Sequence, residues 1–175
     1  MTNAEKPGNT TEIKGLSLIG DGESFKEELC QMLESANIFS DFSRGEIETL
    51  AGYARAYSVG KGQTIFNEGH KGSFMCIVTS GCVDIFKEAD SHDKKRITTI
   101  RPGRTMGEMS ILDELPYSAT AIAKENTTVV LITKTNFDNL TETFPALGLQ
   151  VVRRIARLLS LRLRQTTGVL LDYLE

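Results

Sequence analysis

The sequence predicts a mainly β domain flanked by helices, and three observations carry that prediction. From Ala54 to Thr133, short runs rich in β-branched and aromatic residues alternate with glycine turns, the pattern of a sandwich or closed barrel. Before this region, two stretches open with a serine and a glutamate three residues later and continue with apolar residues at helical spacing. After it, Ala146 to Thr167 is well suited to one long helix with a broad apolar stripe. With 175 residues, 40% of them hydrophobic, the chain can enclose one solid core.

Taken in order, residues 1–22 read as a flexible tail and 23–175 as a single domain, with helices in 24–53, strands in 54–133 and further helices in 134–175. Ser24-Phe25-Lys26-Glu27 predicts a capping box ahead of Leu29, Met32, Leu33 and Ala36. Ser43-Arg44-Gly45-Glu46 predicts a second, ahead of Ile47, Leu50, Ala51 and Ala54, with Phe39 and Phe42 packing in the joint between the two helices. Strands are expected at Tyr57–Val59, Thr64–Phe66, Phe74–Thr79, Val83–Lys87, Arg96–Arg101, Ala119–Lys124 and Thr127–Thr133. Alternation places Met75, Ile77, Val83 and Ile85 on one inner face. The charged run Glu88 to Arg96 is a solvated hairpin tip.

Thr135 opens another helix, with Leu140 and Phe144 on one side, and Pro145 suits the first turn of the last. Val152, Ile155, Ala156, Leu159 and Leu163 form the main stripe of that helix, widened by Val151, Leu158 and Leu161. Its width allows one side to lie on the strands and another on a partner helix. Arg153, Arg154, Arg157, Arg162 and Arg164 form either a phosphate-facing surface or a solvated face paired with acidic groups of the first helices. Thr166-Thr167-Gly168 is a weak point in the helix, beyond which Val169 to Leu174 either extends it or bends back.

Several function classes are disfavoured. A net charge of −3 argues against a general polyanion binder. Met1 to Thr11 lacks the apolar core of a signal peptide, and no apolar run reaches membrane-spanning length. Three cysteines, Cys30, Cys76 and Cys82, suit a reducing cytoplasm rather than a disulfide scaffold, with Cys76 and Cys82 as small buried hydrophobes. His70 and His92 stand alone, and no nucleophile, base and acid occur at recognisable spacing, so neither a metal, a cofactor nor catalysis is expected.

The stretch from Met106 to Ala121 looks built for a ligand. Gly107 permits a tight backbone turn, and Glu108 to Leu112 can form about one helical turn whose first N–H groups suit a phosphate. Pro116 then ends the helix ahead of Tyr117, Ser118 and Ala119. This stretch resembles the phosphate-binding cassette of cyclic-nucleotide-binding domains, such as those of the catabolite activator protein and the cAMP-dependent kinase regulatory subunit. The resemblance runs from roughly Ile38 to the final helix, with further marks at Gly60, Gly62, Gly69, the Ile77–Val83 hairpin and Pro102-Gly103.

The resemblance implies a double-stranded β-helix, or jelly roll, with an N-terminal helical pair and a long C-terminal helix. It implies a non-enzymatic regulatory sensor of cAMP, cGMP or a related phosphate-bearing small molecule. The ligand would touch Val83, Met106, Gly107, Glu108, Met109, Ser110, Tyr117, Ser118 and Ala119, with Glu108 on the ribose hydroxyls. It also implies a parallel homodimer through the last helix, movement of the joint and of the helices from Lys134 onward, and Tyr173 as a lid over the base. No room is expected for a helix-turn-helix after that helix, hence no DNA binding by this chain alone. Tyr117 departs from the family, which carries an arginine there. A neutral hydroxyl replaces a charged two-pronged donor, which weakens phosphate binding by about ten- to a hundredfold. Arg104 and Lys124 lie near the cassette in sequence and are the candidate compensating cations. The alternatives are a degenerate fold serving as a protein-interaction or dimerisation module, and an altered anion or lipid-like ligand.

Overall fold

The structure, a computed structural model, describes residues 13, 15–88 and 93–171. In chain order these form β1 (Ser17–Asp21), a 3-10 turn (Glu23–Phe25), α1 (Lys26–Glu34), a second 3-10 turn (Asn37–Phe39), α2 (Arg44–Ala51), β2 (Arg55–Val59) and β3 (Thr64–Phe66). There follow β4 (Phe74–Ser80), β5 (Val83–Glu88), β6 (Lys94–Ile100), β7 (Thr105–Met106), α3 (Glu108–Asp113), β8 (Thr120–Ala123), β9 (Thr127–Thr133), α4 (Lys134–Thr143) and α5 (Pro145–Leu171). Most of the expected tail, the middle of the β5–β6 loop with His92, and Tyr173 lie outside the described residues.

The strands form two antiparallel sheets, ordered β1-β2-β9-β4-β7 and β3-β8-β5-β6. Between them lies one apolar cluster that includes Phe66, Phe74, Cys76, Val78, Val83, Ile85 and Tyr117. This is the jelly roll with flanking helices that the sequence predicts. A second cluster joins the outer face of the first sheet to the helices, bringing Met75, Ile77, Val130 and Ile132 against Leu29, Leu33, Ile47, Leu50, Val151 and Ile155. Each large side chain buried there contributes about 1.5–3 kcal/mol.

Three expectations are corrected. Ser17–Asp21, placed with the tail, pairs with β2 as an edge strand. Its Leu18 and Ile19 are exposed, so the sequence shows no half-buried alternation to announce it. Ser24 does not cap a helix: the chain makes a 3-10 turn first, and α1 begins at Lys26 with no side-chain cap. Phe25 packs closely on Gly20 of β1, where an added Cβ would stand 2.3 Å from the ring. Met75 and Ile77 face the helices rather than the inner face they were to share with Val83 and Ile85. Phe74 to Val78 is buried on both sides, and alternation cannot tell two apolar faces apart. Of the two alternatives for the segment after Gly168, the helix extends: α5 runs through Thr166-Thr167-Gly168 to Leu171. The two threonine hydroxyls donate back to the Arg162 and Leu163 carbonyls at 3.0 and 2.9 Å.

Other expected features form. Ser43 and Glu46 make a reciprocal capping box at the start of α2, with the Ser43 N–H donating to Glu46 Oε2 at 2.7 Å. Thr133 caps α4 by accepting from the Asn136 N–H at 3.1 Å, two residues ahead of the expected start. Phe144 does not join Leu140 in the core; it is exposed and meets the Tyr53 ring edge-on. All three cysteines are free, and burial pushes the Cys76 thiol well above its ordinary pKa. Among the described residues no helix is long and apolar enough to cross a membrane.

Candidate functional site

The cassette is a short helix clamped between two left-handed residues. Gly107, at φ 76°, leads from β7 into α3, and an added Cβ would stand 2.9 Å from the Phe74 carbonyl oxygen and 3.2 Å from the Tyr117 ring. Only glycine fits both the angle and the space. Glu114 ends α3 at φ 60°, the one non-glycine with positive φ among the described residues. The loop before β4 presses on the same helix: a side chain at Gly72 would collide with Ser110.

Glu108 is 1% exposed. Its Oε1 accepts from Arg162 Nη1 of α5, while Arg162 Nη2 donates to the Thr105 carbonyl at 2.8 Å. Its other oxygen, Oε2, is buried without a partner among the described residues. A carboxylate oxygen out of water and unpaired is an acceptor waiting for donors.

Tyr117 turns inward and is 4% exposed. Its ring stacks on Phe66 at a centroid distance of 4.1 Å and 14°, and leans on Phe74 at 5.8 Å. Its hydroxyl donates to the Phe74 carbonyl at 2.9 Å and accepts from the Phe74 and Ser73 N–H groups at 3.1 and 3.2 Å. A phenol hydroxyl has one proton and two lone pairs, so all of its capacity is engaged. The expectation that Tyr117 donates weakly to a phosphate is therefore corrected: the side chain completes the core of the roll. Burial raises the phenol pKa against the pull of the two N–H groups.

The remaining expected residues divide. Met106 and Ser110 are buried beside Glu108, Gly107 and Ala119 are half-buried, and Met109 and Ser118 are exposed. Val83 lies fully buried inside the roll, paired with Ile100 and Ala123. Arg104 is exposed and lines a different cleft, and Lys124 is exposed beside Cys82.

Two cations that reach Glu108 and Ser118 escaped the sequence reading. Arg162 lay among five arginines with nothing to single it out. Lys87, at the end of β5, donates to the Ser118 carbonyl at 2.8 Å and to Glu68, whose carboxyl it holds below the usual range. The strand pairing of β5 with β8 was the signal that places Lys87 there. Of the other arginines, Arg154 meets Asp41 in the joint between α1 and α2.

Comparison with known proteins gives three findings. The family described as the cyclic nucleotide-binding domain matches over residues 57–144, just over half of the chain. The cyclic AMP receptor protein of Thermus thermophilus is 28% identical over 133 residues, which are 76% of this chain and 60% of that protein. The cAMP-dependent protein kinase regulatory subunit of Yarrowia lipolytica is 30% identical over 108 residues, 62% of this chain and 28% of that protein. The chain thus spans less than two thirds of the length of these relatives. A crystal structure of a cyclic nucleotide-binding domain from Methylobacillus flagellatus superposes with a TM-score of 0.79 at 24% identity, covering 98% of this chain and 96% of that one.

Proposed function

The chain belongs to the cyclic nucleotide-binding domain family, and from that premise we propose that it is a non-enzymatic cytoplasmic sensor that takes a cyclic nucleotide or a related phosphate-bearing small molecule beside α3. The observation that carries this reading is Glu108: a buried carboxylate with, among the described residues, one oxygen unpartnered and the other held by Arg162. Two adjacent ribose hydroxyls supply the donors it lacks. The backbone from Gly107 to Met109 and at Ser118 and Ala119 faces the phosphate, with Lys87 and Arg162 as nearby cations in place of the family's arginine. Hydroxyls on Glu108 share the carboxylate with Arg162 and so bias the equilibrium between α5 held on the cassette and α5 released from it. A ligand shifts that equilibrium only by binding one arrangement better.

The domain pairs with a second copy through α5. Leu149, Val152, Ala156, Leu159 and Leu163 recur at alternating steps of three and four, a seam for a parallel partner helix. Leu149 and Leu163 are exposed, Leu163 at 68%. Leu163→Glu is expected to convert a dimer to a folded monomer in sedimentation equilibrium; a wild-type monomer overturns this part.

The deciding experiment is calorimetric titration with cAMP and cGMP of the wild type, Glu108→Gln and Tyr117→Arg. Saturable micromolar binding by the wild type, weakened about ten- to a hundredfold by Glu108→Gln, is the expected result. Heat from Tyr117→Arg with none from the wild type overturns it. The function then passes to the second reading, an interaction module in which Tyr117 fills the space of the missing arginine.

A further inference from the structure

A cleft of about 190 Å³ whose lining does not include Glu108 lies against the middle of α5. Its walls are the 3-10 turn at Asn37–Phe39, the turn at Gly103 to Thr105, and α5 from Arg154 to Leu161. The Asn37 N–H donates to the Gly103 carbonyl at 2.9 Å and ties the first two walls together. The cleft's chemistry has two halves. Ile38, Leu158 and Leu161 give it an apolar lining, with Leu161 51% exposed. Arg104, Arg154 and Arg157 give it three guanidiniums.

Arg154 is engaged with the exposed carboxylate of Asp41. That carboxyl is held below its usual pKa by the Arg154 hydrogen bond and, more weakly, by the charge of Arg157. Arg104 and Arg157 make no side-chain hydrogen bond or ion pair among the described residues. Three guanidiniums and no carboxylate in the lining make a local positive excess in a chain whose net charge is −3. Thr105, which also lines the cleft, buries its Oγ1 without a partner. Two exposed guanidiniums without a carboxylate partner, set beside an apolar wall, suit an anion.

We propose that this cleft is a second ligand site, distinct from the cassette, for a small free amphipathic anion with a phosphate or carboxylate head and a short apolar body. The head sits between Arg104 and Arg157 and the body lies on Leu158 and Leu161. The volume is below that of a drug-sized pocket and suits a fragment-sized molecule. The site bridges α5 and the turn whose next residues are Met106 and Gly107, so an occupant fastens α5 to the approach to the cassette.

The test is a titration of isotope-labelled wild-type protein with phenyl phosphate, inorganic phosphate and benzyl alcohol, followed by amide chemical shifts. Phenyl phosphate is expected to saturate shifts at Gly103, Thr105, Leu158 and Leu161, about tenfold or more tighter than inorganic phosphate, since burying a ring adds apolar contact. Benzyl alcohol is expected to leave them unmoved. The double variant Arg104→Gln, Arg157→Gln removes two exposed side chains and should keep the wild-type spectrum elsewhere, while weakening phenyl phosphate about tenfold or more. Equal affinity for the two phosphates, shifts confined to residues 107–119, or no weakening in the double variant overturns the proposal. None of these readouts requires the cassette to bind cyclic nucleotide.

Discussion

Tyr117 shows how far one residue can be read without its surroundings. Its place after Pro116 marks it as the family's phosphate contact, and its chemistry says the contact is weak. Neither says that the ring turns inward, because that depends on Phe66 and Phe74, which are 51 and 43 residues upstream in sequence. Tyr117→Phe is expected to leave three backbone partners without the hydroxyl and to destabilise the domain by about 1–3 kcal/mol in urea unfolding, with nucleotide affinity unchanged. A drop in affinity without a drop in stability would show that the hydroxyl reaches the ligand. Glu114 supports a prediction of the opposite sign. Its left-handed backbone is costly for a side chain, and its ion pair with Lys134 at 3.2 Å is 75% exposed on the glutamate side, hence worth little. Glu114→Gly is expected to raise stability by about 0.5–1 kcal/mol, read as a higher urea midpoint at constant slope.

At the scale of elements, the legible features were those encoded locally. The Ser43 capping box, the Gly107–Glu108 start of α3 and the Pro145 start of α5 each need only a few neighbouring residues, and each formed. The missed features depend on distant partners. β1 exists because β2 offers it an edge, and Met75 faces the helices because the other face of β4 is equally apolar. Arg162 belongs to this group, since the residue it meets is 54 positions away. It fixes α5 to the cassette, so Arg162→Met is expected to speed hydrogen exchange in the second half of α5 while leaving α1 and α2 protected. It also leaves Glu108 buried without its cation, a loss of about 1–3 kcal/mol given that the arginine side chain is 37% exposed. Unchanged exchange would mean that α5 is held by its apolar face alone.

For the molecule as a whole, the two apolar clusters meet at β4, which contributes Phe74, Cys76 and Val78 to one and Met75 and Ile77 to the other. Tyr117 closes the inner cluster, standing where a ligand-gripping side chain would leave space. That substitution has a mechanical consequence. The volume a protein loses on unfolding scales with the voids it contains when folded, and hydrostatic pressure works on that volume. The ring stacked on Phe66 and hydrogen-bonded to Phe74 fills volume that a smaller side chain would leave as a void, so it is expected to raise the pressure at which the domain unfolds. Tyr117→Ala should give a more negative unfolding volume and a steeper loss of native fluorescence with pressure, in excess of its effect on the urea midpoint. A single ring that closes the inner cluster would then make the domain stiff under load.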